Sequence, residues 1–255
     1  MTTYKFLILL MVTSSIYSQS NYKSAEGFYE LSSFEMAAGM YLLEDQTFFY
    51  FASFGNVDLK IYGTYTLSNS NQITLFPNPE LTKKFHFYGL HNPENKNYIT
   101  FYYKQPYEQN AEQLLIEIDG KYQEFPKFTS AISEVSMRIE FPQSEIIKIG
   151  YKNPDAQNAF QYELLETAKL HDGINEIKIF HNYYAEMIVA VSQLAFKLEN
   201  GILTDLNEFN QKTIPKKEIN PDIKNQVLAF IADKKSKTTI NRDGKIYEKI
   251  DLTSK

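Results

Sequence analysis

Between Val57 and Leu67 the chain reads VDLKIYGTYTL, and its positions alternate: Leu59, Ile61, Tyr65 and Leu67 share one face with Gly63, while Lys60, Tyr62, Thr64 and Thr66 share the other. Successive strand residues point to opposite faces, so the pattern predicts an antiparallel strand buried on one side. The same period of two recurs at 27–31, 40–43, 47–52, 73–76, 84–90, 98–104 and 113–118. Turn-forming residues separate these runs: Glu44-Asp45-Gln46, Gly55-Asn56, and the polar stretches 68–71, 91–97 and 105–110. The gaps are short, which predicts hairpins in a meander. Eight such strands between residues 26 and 119 are enough to close a small up-and-down barrel.

Beyond Phe125-Pro126-Lys127, where a boundary is expected, strand patterns resume at 135–141, 146–151, 160–165, 174–180 and 187–196. Turns at Asn153-Pro154-Asp155, Asp172-Gly173 and Asn200-Gly201 punctuate them, and this spacing suggests a β-sandwich or an extension of one larger β-structure. The C-terminal part differs. Asn220 is an N-cap candidate with Pro221 at the first helical position, Ile223, Val227 and Ile231 form a stripe, and Lys234-Lys235 follow, which together predict a helix over 221–234. Asp243-Gly244 then predicts a tight hairpin between Thr239-Ile240 and Ile246-Tyr247.

The N-terminus carries one Lys before the apolar run Phe6 to Val12, followed by Ser14, Ser15 and Ser18. The run is too short for a bilayer span of roughly 20 residues, and it reads as a secretory signal peptide, 1–18, with mature protein from Gln19. The expected organisation is thus signal peptide 1–18, β-barrel domain 19–125, sandwich-like domain 126–210, and a basic tail 211–255 with its helix and hairpin. The chain has no Cys, so disulfides, a lipid-anchored cysteine and thiol nucleophiles are all excluded. Exported, periplasmic or secreted, and bacterial is the expected setting; none of the nineteen Asn residues begins an Asn-x-Ser/Thr sequon.

The segments GFYEL at Gly27, LEDQTFFY at Leu43, GTYTL at Gly63 and NQITLF at Asn71 resemble small lipocalin-like domains exported by bacteria, with their Gly-x-aromatic-x-Leu and Asp-Gly-x-Phe motifs. The resemblance covers about fifty residues, and Gln46 stands where those domains carry the turn glycine. It implies a barrel and supplies no catalytic residue.

Charge is unevenly laid out. Residues 19–210 carry 14 basic against 25 acidic residues, net −11, whereas 211–255 carry 11 against 6, net +5. An acidic body argues against nucleic acid as a partner, and the basic tail is expected to dock on that body. No nucleophile elbow, His-Glu-x-x-His or phosphate-binding glycine loop occurs. His86 and His91, five apart, point to opposite strand faces, and His171 and His181 read as solvated, so no metal site and no cofactor are expected. A carboxylate pair leaves no linear signature; Glu35, Glu44, Asp45 and Asp58 on predicted turns and strand ends are its candidates.

The expectation is therefore an all-β, non-enzymatic exported protein that binds a small apolar or amphipathic ligand or an envelope protein, or is purely structural. A glycan hydrolase with an unidentified carboxylate pair is the alternative. Phe48, Tyr50, Tyr65, Phe85, Phe87, Phe101 and Tyr103 are the residues expected to line a cavity if one exists.

Overall fold

The computed structural model describes residues 22–104, 114–127, 134–140, 146–152, 162–169, 173–207 and 212–253. The segment expected as a signal peptide, the expected turns at 105–110 and 153–155, and His171 lie outside the described residues. In chain order come β1 (Gly27–Glu30), β2 (Ala37–Leu42), β3 (Thr47–Phe54), β4 (Val57–Leu67), β5 (Gln72–Pro77) and helix α1 (Pro79–Thr82). Next are β6 (Phe85–Leu90), β7 (Tyr98–Lys104), β8 (Leu114–Ile118), β9 (Lys121–Glu124), β10 (Glu134–Glu140), β11 (Ile146–Lys152), β12 (Tyr162–Lys169) and β13 (Glu176–His181). Helix α2 (Ala185–Val191), β14 (Ala195–Glu199), β15 (Ile202–Asp205), β16 (Thr213–Lys217), helix α3 (Pro221–Ser236), β17 (Thr239–Arg242), β18 (Lys245–Ile250) and β19 (Leu252–Thr253) complete the order.

The fold is all-β, with an eight-stranded antiparallel barrel as expected, but the barrel closes differently. β1 to β5 pair in sequence as a meander; β5 then pairs with β14, Ile73 opposite Phe196, and β14, β15 and β16 lead back to β1. Residues 83–183 and 235–255 form a second compact unit, so the boundaries 19–125, 126–210 and 211–255 give way to a barrel unit of residues up to 82 and 184–234 with that unit inserted. The local chemistry explains the exit from the barrel. β5 ends at Pro77, which lacks a ladder donor, and Asn78 Oδ1 accepts the Glu80 N–H to start α1 at Pro79, so no hairpin forms toward β6.

Inside the barrel, Tyr29, Met40, Leu42, Phe48, Ile61, Tyr65, Ile73, Leu75 and Leu203 have no accessible surface. The alternation of β4 holds: Leu59, Ile61 and Tyr65 point in. Gly63 must lack a side chain, because a Cβ there would meet the Phe76 carbonyl at 2.0 Å and the Phe48 ring at 2.8 Å. Gln46, in the position usually held by glycine, adopts the left-handed conformation itself at φ 68°.

The stretch 187–196, expected as a strand, is helical over 187–191 and enters β14 only at Ala195: Ala185, Ile188 and Val191, at helical spacing, are the buried residues of α2, and Ile188 and Val191 join the barrel core. The helical turn 22–25 leads into β1 and α2 leads into β14, and because β1 and β14 run in opposite directions the two lie at opposite barrel ends. The C-terminal helix forms as expected, Pro221–Ser236, with Asn220 Oδ1 accepting the Asp222 N–H at 2.8 Å. Its Val227 and Ile231 cover Phe49 and Tyr62 on the outer barrel wall.

In the second unit a six-stranded sheet, β10-β7-β13-β6-β18-β17, and a five-stranded sheet, β19-β12-β11-β8-β9, contribute to one apolar core, a sandwich-like arrangement. Phe125, at the expected domain boundary, is buried in that core against Tyr103, ring centroids 5.6 Å apart, so no boundary falls there. The Asp243-Gly244 hairpin forms with both residues at positive φ, 53° and 76°.

Candidate functional site

The structure divides the seven expected cavity residues between two cores. Phe48, Tyr50 and Tyr65 sit in the barrel; Phe85, Phe87, Phe101 and Tyr103 sit in the second unit. A side chain with no accessible area has no water-sized void beside it, and Phe48 and Tyr65 both meet that test. The buried phenols are also satisfied: Tyr65 donates to the Leu43 carbonyl at 2.9 Å and Tyr29 to the Ala25 carbonyl at 2.8 Å. Burial pushes both phenols well above their usual value. These aromatics are core packing, and the barrel is filled by its own side chains.

Glu35, Glu44, Asp45 and Asp58 are all exposed. Asp45 accepts the Thr47 N–H in its turn, Asp58 pairs with Lys60 at 2.9 Å, and Glu44 lies 3.7 Å from Lys224. His181 is half-buried against the Phe85 ring at 5.2 Å, where it was expected in solvent. Among the described residues no three His, Asp or Glu side chains converge as metal ligands.

A cleft of about 620 Å³ lies in the second unit. Its apolar walls are Leu90, Pro93, Ile174 and Ile246, and His91, Lys245 and Glu248 supply polar groups. The walls are rigidly placed. Asn175 Nδ2 donates to the carbonyls of Asn92 and Asn95, both at 2.9 Å, and its Oδ1 accepts the Asn92 N–H, so the loop after β6 is fixed to the start of β13. His91 Nδ1 meets the Gly173 carbonyl at 2.7 Å; a carbonyl only accepts, so Nδ1 carries the proton. Gly89 makes room for the floor, since a Cβ there would lie 2.7 Å from Ile174.

The remaining wall is the C-terminal hairpin, held by a buried polar cluster on the outer face of the six-stranded sheet. Glu176, only 3% exposed, accepts from the Tyr247 hydroxyl, from Asn92 Nδ2 at 2.6 Å and from Lys245 at 3.2 Å. Burial alone would raise its carboxyl, but these three donors outweigh burial and hold it below its ordinary value. Burial, reinforced by the bond to Glu176, pushes the Tyr247 phenol up. Beside it Lys178, equally buried, lies 4.6 Å over the Tyr102 ring and pairs with Asp243 at 3.4 Å and Glu134 at 3.6 Å. Some lysines of 211–255 pair with acids of the preceding chain: Lys245 with Glu176 and, in the barrel unit, Lys224 with Glu26 and Lys217 with Glu30.

Glu176 and Lys178 went unread in the sequence because NEIKIF alternates like any strand with one wet face. Side chains from distant segments bury them: Asn92, Lys245 and Tyr247 around Glu176, and Tyr102, Glu134 and Asp243 around Lys178. No protein-family model, no curated protein and no solved structure matches the chain.

Proposed function

We propose that this is an exported, non-enzymatic β-protein, built on a lipocalin-like barrel, that binds a small amphipathic ligand in the cleft beside the C-terminal hairpin. The observation that carries the reading is the cleft itself: about 620 Å³, within the range of ligand sites, lined by Leu90, Pro93, Ile174 and Ile246 together with the polar His91, Asn92, Lys245, Glu248 and Lys249. The filled barrel moves the expected site away from the lipocalin-type interior. Glu176, 3% exposed, is held ionised by three donors and anchors the hairpin that forms one lip of the cleft.

Ligand screening by thermal shift, followed by NMR of the Ile methyl groups, tests the reading. Binding should move the resonances of Ile174 and Ile246, and Ile246→Asp, at an exposed position, should weaken affinity by about tenfold or more with little change in Tm. Ligands that instead perturb only the barrel core, or a library in which nothing perturbs the cleft, would refute it.

Export is part of the same proposal and rests on the apolar run Phe6 to Val12 with its small-residue exit. N-terminal sequencing of protein from fractionated cells should return Gln19 as the first residue. Protein beginning at Met1 in the cytosol would end the idea.

A further inference from the structure

The ladder between β6 and β18 stops early, at the place where the cleft begins. It pairs Ile250 with Phe87, Lys249 with Tyr88 and Glu248 with Gly89, and goes no further. The Lys249 N–H donates to the Thr238 carbonyl, so residues 245, 247 and 249 of β18 bond to the β17 side. By the alternation of an antiparallel ladder, 246, 248 and 250 then present their N–H and C=O groups toward β6. On β6 the Asn182 N–H bonds the Lys84 carbonyl, so even-numbered residues face β13 and odd-numbered ones face β18. The next bonded pair would be Ile246 with His91. The strands part before making it, and both residues line the cleft. The Ile246 side chain is 65% exposed beside this opening, with Leu90, Pro93 and Ile174 forming apolar walls.

We infer that the ligand is a short extended peptide with a branched apolar side chain, which continues the interrupted ladder between His91 and Ile246. This inference rests on the proposed binding function and narrows it. An extended backbone offers the alternating donors and acceptors that two parted strands lack, while the apolar walls receive its side chain. Polar groups fixed on a rigid frame make the gap preorganised: the Asn92-Asn95-Asn175 bonds hold one lip, and the Glu176 cluster holds the hairpin that forms the other.

The probe is a blocked pentapeptide of alternating Val and Thr, titrated into the full chain and followed by calorimetry and by the amide resonances of His91 and Ile246. Both amides should shift, and N-methylating alternate peptide nitrogens should weaken binding at least about tenfold, because the donors are lost while the side chains remain. In the protein, Ile246→Pro removes the N–H that β18 aims at the cleft and leaves the β17 bonds of residues 245 and 247 in place, so it should weaken binding similarly with the hairpin intact. Ile246→Val, which keeps the donor, should bind as before and guards against a misfolded proline variant. Equal affinity for the N-methylated peptide, or no binding of the pentapeptide, would overturn the inference. If a non-peptide amphiphile still shifts Ile174 and Ile246 in that case, the proposed binding function survives; if nothing does, both fall.

Discussion

Replacing Glu176 by alanine should destabilise the second unit by about 1–3 kcal/mol, the cost of leaving the buried Tyr247 hydroxyl and Asn92 amide without their acceptor, since Lys245 is itself half exposed. The carboxylate is 3% exposed, and its loss leaves Lys245, the Tyr247 hydroxyl and Asn92 Nδ2 without their acceptor. Lys178, buried between the Tyr102 and Tyr247 rings, keeps its pairs with Asp243 and Glu134. By contrast Lys197→Ala, which breaks an exposed pair with Glu199 on β14, should cost under about 1 kcal/mol. The acid limb of stability separates this account from simple loss of packing. The folded carboxyl lies below its ordinary 4.5, so its contribution is fully present above that value and is lost as pH falls through the lower folded value. Wild-type protein should therefore lose stability over that acid range more steeply than Glu176→Gln, in denaturant melts followed across pH. A small loss for Glu176→Ala together with parallel acid limbs would show that the cluster does not hold the hairpin.

The same cluster marks where the sequence stops being informative. Short-range signals carried through: the period of two over 57–67, the Asn220-Pro221 helix start and the Asp243-Gly244 turn each specify their own element, because steric and capping preferences act within a few residues. Pairing between distant strands is a different kind of information. Nothing in Ile73 or Phe196 says that they are opposite, since β14 and β6 share the same alternation and differ only in which one the chain brings back to β5. The candidate site suffers most from this. Its lips come from β6, the segment before β13 and β18, three stretches far apart in the chain, and its buried charges look solvent-facing until distant segments close over them. Tyr62 repeats the lesson in the barrel: alternation rightly puts it on the outer face, yet α3 covers that face and Tyr62 is 4% exposed.

Tyr62 also turns the test of the barrel interior into a three-way comparison. Phe48→Ala removes an aromatic with no accessible surface from the middle of the barrel core, against Gly63 of β4. In a filled core that truncation should cost about 3–5 kcal/mol, because the transfer term and the new cavity both count. Had the barrel held a preformed ligand space, part of the volume would already be empty and the cost would be clearly smaller. Tyr62→Ala, outside the barrel but beneath Val227 and Ile231, should cost about 3 kcal/mol, and its loss should fall on the docking of α3. Phe34→Ala, fully exposed at the tip between β1 and β2, should stay within about 0.5 kcal/mol. Denaturant unfolding of the three variants separates the cases. A small loss at Phe48 would reopen the barrel as a binding cavity, and a small loss at Tyr62 would mean that the helix does not rest on the wall; large losses at both with none at Phe34 are what a filled, helix-buttressed barrel requires.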